Sequence, residues 1–301
     1  MQANNGLRGA SYRLDDLLGL RFSARQLKLG AFSRARSSLV GSHHSRFRGR
    51  GMSFAESRPY QPGDDVRQID WRVTARSGRT HTKVFEEEKE RPVFLIADFG
   101  PHMKFGSRVA FKHVVAAEVA ALVAWSALSG GDRVGALLAA ADGHLELKPA
   151  SGRRNLMHLL RGLVSLGEPH SAEGDGALGD VLLRAVHVVH PGSLVFVISD
   201  FHRMDEQYQR HLRQLRQHND VVLLQVLDPL ERVLPPPGNY PVKRDDRVRV
   251  WNLRAGRTRR ELGKMLEERR QHLVDFASQH GIPQACLSAG DDVVGKLRQL
   301  I

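Results

Sequence analysis

Cysteine is almost absent from the 301-residue chain: Cys286 stands alone. No disulfide can close within the chain, and no cysteine-based zinc site can form. The PQACLSA run around it is apolar, which predicts a buried core thiol. Aromatic residues are scarce, at 6%. The Ser/Gly/His-rich basic segment SRARSSLVGSHHSRFRGRG (33–51) holds only Phe47 among its arginines. Recognition of single-stranded nucleic acid by base stacking is therefore poorly supported. No apolar run reaches the roughly 20 residues that a spanning helix needs; the longest, Val114 to Leu128, is interrupted by Glu118. The opening MQANNGLRGASYRLDD lacks the apolar centre of a signal peptide. The expectation is a soluble, cytoplasmic protein without a transmembrane segment, reaching the inner membrane only through partners.

Catalytic signatures are missing as well. There is no P-loop, no G-x-S-x-G elbow and no H-E-x-x-H pair. GDGALG (174–179) has G-x-G-x-x-G spacing, but it follows the polar loop LGEPHSAE rather than a strand, so it reads as a chance match. Nothing resembles a nucleophile with its base.

Positive charge is what the chain has in excess. The formal net charge is +12, with arginine carrying most of it. That favours an acidic or anionic partner. Between Leu20 and Arg50 stand eight basic residues and no Asp or Glu: Arg21, Arg25, Lys28, Arg34, Arg36, Arg46, Arg48 and Arg50. This arm is a candidate for an anionic partner, whether an acidic protein, nucleic acid or a membrane surface. A second cluster, Arg254 to Arg270, reads as a solvated face.

From Pro92 onward, strand-like and helix-like segments alternate. PVFLIADF (92–99), SLVFVISDF (193–201) and VVLLQVLD (221–228) are continuous apolar runs, as in strands buried on both faces. HLELKP (144–149) pairs with DRVGALLAA (132–140) across Asp142-Gly143. NYPVK and RVRVWNL form an exposed hairpin around Asp245-Asp246. The alternation predicts an α/β domain over 92–301 with a doubly wound, mostly parallel sheet. Residues 1–91 read as a basic arm and a smaller β-rich lobe, with short helices in DDLLGLRFSARQLKL and strands in FRGRGMSFAESRPY and THTKVFEEEKE.

In such a sheet, ligands bind beyond the carboxyl ends of the strands, where the strand order reverses. Two of the most apolar strands end in ADFGPHM (97–103) and SDFHRM (199–204). Each delivers an aspartate, Asp98 or Asp200, and then a histidine, His102 or His202. If the strands are neighbours, two carboxylates and two imidazoles converge. Oxygen ligands suit magnesium or manganese, and imidazole shifts the preference toward a transition metal. The bland alternative is that the aspartates cap the turns after them and the histidines are solvated.

The stretch RPYQPGDDVRQIDWRVTAR (58–76) crowds arginines and aspartates around two aromatics. Pro62-Gly63 predicts a tight turn. Arg58, Arg67 and Arg72 can pair with Asp64, Asp65 and Asp70, and Tyr60, Ile69 and Trp71 alternate as in a strand. This predicts a charged clasp joining the small lobe to the sheet, with a docking face as the alternative.

The positions Glu56, Arg58, Tyr60, Gly63, Asp64, Arg67, Ile69, Asp70 and Trp71, with THTKVFEEEKERPVFLIAD after them, resemble the hallmark of the bacterial domain-of-unknown-function 58 family (DUF58). Asp65 and Arg76 lie in the same block. The resemblance implies a von Willebrand factor A-like fold. It also implies a role beside MoxR-type AAA+ ATPases and other von Willebrand A proteins, as a non-enzymatic adaptor in protein assembly or maturation. The metal site of that fold needs D-x-S-x-S after the first strand, a threonine, and an aspartate after the fourth. Here Asp98 and Asp200 match, but Gly100 and His102 replace the serines, and Asp175 is the nearest oxygen donor where the threonine is expected. Either metal binding is lost, or His102 and Asp175 rebuild it; a metal-dependent enzyme or ligand-binding protein would use Asp98, His102, Asp200 and His202.

Overall fold

The computed structural model describes residues 6–27, 29, 52–87, 92–168, 178–244 and 247–300; the side chains of 52–56, 84–87, 242–244, 247 and 249 are outside that description. The chain divides into two compact units, Ser37–Glu90 and a larger one made of Met1–Arg36 with Arg91–Ile301.

The larger unit is built on a six-stranded sheet. Its strands are β3 (Val93–Asp98), β4 (Val134–Ala139), β5 (His144–Ala150), β6 (Leu194–Ser199), β7 (Asp220–Leu227) and β10 (Gln284–Ser288). The spatial order is β10-β7-β6-β3-β4-β5, all parallel except β5, which pairs antiparallel with β4. Counted within the sheet, this is the doubly wound order 3-2-1-4-5-6.

Alternation along each strand sorts side chains into two layers. Val93, Leu95 and Ala97 face one core with α4 (Lys112–Ser129) and α5 (Arg153–Gly167). Phe94 and Ile96 face the other, with α6 (Leu178–Val188), α7 (Glu206–His218) and the end of α9 (Gly256–Gln279). Asp205 caps α7, accepting from the Tyr208 N–H.

Among the described residues, α4 is the one helix long and apolar enough to cross a membrane. Every residue from Lys112 to Ala127 is buried, which makes it the central helix of the fold. Glu118, one of its few charged residues, accepts one hydrogen bond, from the Leu7 N–H at 3.0 Å. Burial pushes its carboxyl up to about 7.

The first residues group with the larger unit. Helices α1 (Leu14–Gly19) and α2 (Arg21–Ala24) pack on the larger unit. Leu17, Leu20, Ala24 and Leu27 recur at helical spacing and are buried. The Trp125 indole donates to the Leu17 carbonyl and the Ser126 hydroxyl to that of Leu27. Arg21 lies over the buried Trp125 ring, so the beginning of the basic arm joins this packing, while Arg25 lies over the exposed Phe22. Lys28 and the arm's remaining basic residues, Arg34 to Arg50, lie outside the described residues.

Cys286 is half-buried on the edge strand β10 rather than fully buried, and desolvation raises its thiol pKa. The expected hairpin forms as β8 (Asn239–Arg244) and β9 (Arg247–Asn252), with Asp245 and Asp246 outside the described residues.

The smaller unit is an antiparallel pair, β1 (Met52–Pro59) and β2 (His81–Glu87). Between them lie a 3₁₀ turn, Val66–Gln68, and helix α3 (Trp71–Ser77).

Candidate functional site

Strands β3 and β6 are hydrogen-bonded neighbours, with Ala97 opposite Ile198. Their carboxyl tips therefore bring Asp98 and Asp200 together, each only 1% exposed. Asp98 accepts from the Gly100 N–H at 2.9 Å through Oδ1. Its Oδ2 is 2.9 Å from His102 Nε2 and accepts from the Ser199 hydroxyl at 2.7 Å. Asp200 Oδ1 accepts from the His202 N–H at 2.9 Å and lies 3.1 Å from His202 Nδ1 and 3.7 Å from His102 Nε2. The two imidazoles lie against each other, with centroids 3.8 Å apart and planes tilted by 39°. Each aspartate thus accepts from the backbone of its own turn and also joins the side-chain cluster. The histidines are packed against the carboxylates rather than simply solvated.

Two cations complete the site. Lys112 Nζ, from the first residue of α4, lies 2.6 Å from Asp200 Oδ2 and 3.1 Å from a Glu231 oxygen. Glu231 belongs to the short helix α8 (Pro229–Arg232), which Asp228 caps. Arg269, reaching in from α9, lies 3.2 Å from the same Asp200 oxygen and donates to the Asp200 carbonyl at 2.8 Å. Burial alone would raise the Asp200 pKa. The His202 hydrogen bond and the charges of Lys112, Arg269 and His102 outweigh it and hold the carboxyl far below its usual range. Tyr208, buried beside them, has its phenol pushed well above the usual value by desolvation and by the negative charges of Asp98 and Asp200. It stays protonated and cannot serve as a base at neutral pH.

Phe201, between the aspartate and the histidine, has φ of +52°. Such a backbone is strained for a bulky residue. The Ser199 hydroxyl accepts from the Phe201 N–H, and with the Asp200–His202 bond it holds the turn that sets His202 beside His102. The pocket in front, about 240 Å³, is lined by His102, His202, Phe201, Arg203 and Tyr208 among others.

Sequence reasoning found Asp98, Asp200, His102 and His202, and the structure brings all four together. Asp175 lies outside the described residues. Lys112, Arg269, Ser199 and Glu231 were missed. A lysine at the head of the apolar run AFKHVVAAEVAA was a faint signal for Lys112; Arg269 sits in a helix so rich in charge that nothing singles it out.

The donor set does not suit magnesium, which requires near-octahedral oxygen ligands. One carboxylate of the pair carries an ammonium and a guanidinium on its second oxygen, and two imidazoles crowd the first. The His102, Asp200 and His202 ligand atoms do lie within 4.8 Å of one another. By donor chemistry that trio fits a transition metal.

The signature stretch has its own geometry. Asp64 N donates to the Gln61 carbonyl across the Pro62-Gly63 turn, and Gly63 has φ of +108°, which glycine adopts without strain. Arg58 pairs with Asp64 at 2.7 Å through one nitrogen. The Gln61 N–H and the Arg58 guanidinium hold the Asp64 carboxyl below its usual range. The Tyr60 hydroxyl donates to the Asp64 carbonyl. Asp65 accepts from the Arg67 N–H. Asp70 caps α3 by accepting from the N–H groups of Arg72 and Val73, and its other oxygen accepts from the Ser57 hydroxyl. Those bonds, led by that of Val73, lower its pKa.

The clasp is therefore built within residues 57–82. The bonds that Arg67 and Arg72 make to Asp65 and Asp70 use their backbone N–H groups. Ile69 forms an isolated bridge to Thr82. Trp71 opens a helix rather than continuing a strand, because Asp70 offers an N-cap. It is 71% exposed. Arg76 lies in the last turn of α3, which ends on Gly78 with φ of +69°. Glu56 lies in β1, its side chain outside the described residues.

A mostly parallel 3-2-1-4-5-6 sheet with aspartates at the tips of its first and fourth strands defines a doubly wound α/β protein. The chain belongs to the family described as Protein of unknown function DUF58, whose model matches residues 56–272. An uncharacterized protein of Mycobacterium tuberculosis, Rv1480, is 31% identical over 221 residues, covering 73% of this chain and 69% of the relative. YeaD of Bacillus subtilis, also uncharacterized, is 33% identical over 164 residues, 52% of this chain and 37% of its own. Among solved structures, BatB from Bacteroides thetaiotaomicron aligns with a TM-score of 0.42 at 15% identity, covering 69% of this chain and 96% of its own. A von Willebrand factor type A protein from Catenulispora acidiphila aligns at 0.38 and 12%, covering 73% and 43%.

Proposed function

We propose that this protein is a non-enzymatic adaptor that works with a MoxR-type AAA+ ATPase in protein assembly or maturation. The observation that carries the reading is the internal compensation of Asp200. Lys112 and Arg269 occupy one of its oxygens and the histidine side faces the other, so its charge is met by the chain itself. A site balanced in this way is suited to presenting a fixed surface, with His102, His202 and Arg203 at its rim, rather than to activating a water or a substrate. The family resemblance supplies the class of partner. Co-purification with the MoxR-type ATPase of the same organism tests it. Retention at low and moderate salt is expected, with weaker retention for Arg203→Glu; no retention at either salt contradicts the reading.

The 4.8 Å clustering of ligand atoms favours a second reading, a transition metal held by His102, His202 and Asp200. The two imidazoles and one Asp200 oxygen would hold the ion, and the contact between His102 and Asp98 would orient that ring. The ion would add a fixed positive charge at the pocket floor. Elemental analysis of the purified chain decides: close to one equivalent supports it, and a trace amount removes it.

A further inference from the structure

We infer that the outer face of α3, in the smaller unit, docks an acidic segment of a partner protein. The inference rests on the reading of the chain as an interaction protein, although its test needs no ATPase.

Helix α3 has two sides. Val73 and Thr74 are half-buried, and the Thr74 hydroxyl accepts from the His81 N–H at the start of β2. Trp71, Arg72, Ala75 and Arg76 are exposed. Trp71 is 71% exposed and Val66, in the turn before it, 62%. A tryptophan this exposed contributes little to the fold. Tryptophan and arginine are also the residue types that dominate binding energy at protein interfaces.

The charge around Trp71 is one-sided for a structural reason. Asp64, Asp65 and Asp70 all turn back onto their own stretch, bonding Arg58 and the backbone N–H groups of Gln61, Arg67, Arg72 and Val73. Among the described residues of this stretch, these acids hold the turn and the cap. Arg67, Arg72, Arg76 and Arg79, close to Trp71 in sequence, remain exposed. The clasp and the docking face are then one device: the aspartates fix the backbone, and the fixed backbone presents the arginines and Trp71.

Guanidinium groups match carboxylates in shape as well as charge, so the complementary surface is acidic. Val66 and Ala75 give the face an apolar component that a phosphate backbone does not use. A single indole is also fewer than the series of stacking aromatics typical of single-strand binders. The occupant is accordingly an acidic protein segment that carries apolar residues.

The test titrates the full chain into a fluorescently labelled peptide of alternating glutamate and leucine blocks and reads anisotropy. Saturable binding is expected. Trp71→Ala and the double reversal Arg72→Glu/Arg76→Glu should each weaken it by about tenfold or more. Arg257→Glu/Arg260→Glu on exposed α9 changes the net charge equally and should leave binding near wild type. Circular dichroism melting establishes that each variant is folded. Three results overturn the inference: no binding by the wild type, equal weakening by both double reversals, or a DNA duplex that displaces the peptide and binds in a Trp71-dependent way. If peptide docking holds while the ATPase fails to bind, the inference stands and the ATPase reading falls; the converse outcome separates them the other way.

Discussion

Glu118 offers the sharpest quantitative check on the packing of the larger unit. Its carboxyl sits in the middle of α4, buried, with the Leu7 N–H as its hydrogen-bond donor. Folding raises its pKa from 4.5 to about 7. A group raised on folding binds its proton more tightly in the native state. Its stabilising contribution is therefore complete below about pH 4.5 and is lost as pH rises through about 7. The rise corresponds to about 3 kcal/mol between acid and alkaline limits, at 1.36 kcal/mol per pH unit.

Glu118→Gln keeps the shape and an oxygen for the Leu7 N–H but removes the charge. At about pH 5 the variant should match the wild type to within roughly 1 kcal/mol, the value of one hydrogen bond. At about pH 8.5 it should be more stable by about 3 kcal/mol, on the order of 5–10 °C in melting temperature. Urea titrations followed by circular dichroism at both pH values measure this. Parallel pH dependence in the two proteins would refute the reasoning, because it would mean that the carboxylate is not desolvated in the native state.

Other outcomes follow from the charge network and the clasp. Lys112→Met should destabilise the chain by about 3 kcal/mol in urea titrations, since it removes the buried ammonium from Asp200 and leaves Arg269 as the cation beside it; a loss below about 1 kcal/mol would show the network to be solvated. Folding depresses the Asp200 pKa, so its contribution is present above the unfolded value of 3.8 and fades as pH falls below it; Lys112→Met should move that fading to higher pH in acid titrations. Asp70→Ala should lower the melting temperature by removing the α3 cap, whereas Asp70→Asn should keep most of it, as circular dichroism melting would show. A chain insensitive to both would place the stability of the smaller unit elsewhere.

How much of this could be read from the sequence depends on the range of the interaction. The runs VFLIA and LVFVI are apolar at every position, so burial on both faces was legible, and with it the sheet and the place of Asp98 and Asp200 at the strand tips. His102 and His202 were legible because they follow those tips by two to four residues. Lys112 and Arg269 were not: they meet Asp200 across 88 and 69 residues, and no local pattern encodes that meeting. The helices before Leu27 were visible from their apolar spacing, but the spacing does not say what they cover, and they cover α4 rather than the β-rich lobe. Trp71 shows the opposite failure. Alternation in Tyr60, Ile69 and Trp71 suggested a strand, while Asp70 directly before Trp71 was an N-cap signal that outweighed it.

The central claim is tested most directly by the binding of this chain to the MoxR-type ATPase of its own organism, measured by interferometry on immobilised ATPase. Wild-type chain should bind saturably, and His102→Ala/His202→Ala, folded by circular dichroism, should bind about tenfold more weakly. Absence of wild-type binding, or a double variant that binds as tightly as the wild type, would contradict the assignment of this face to the partner.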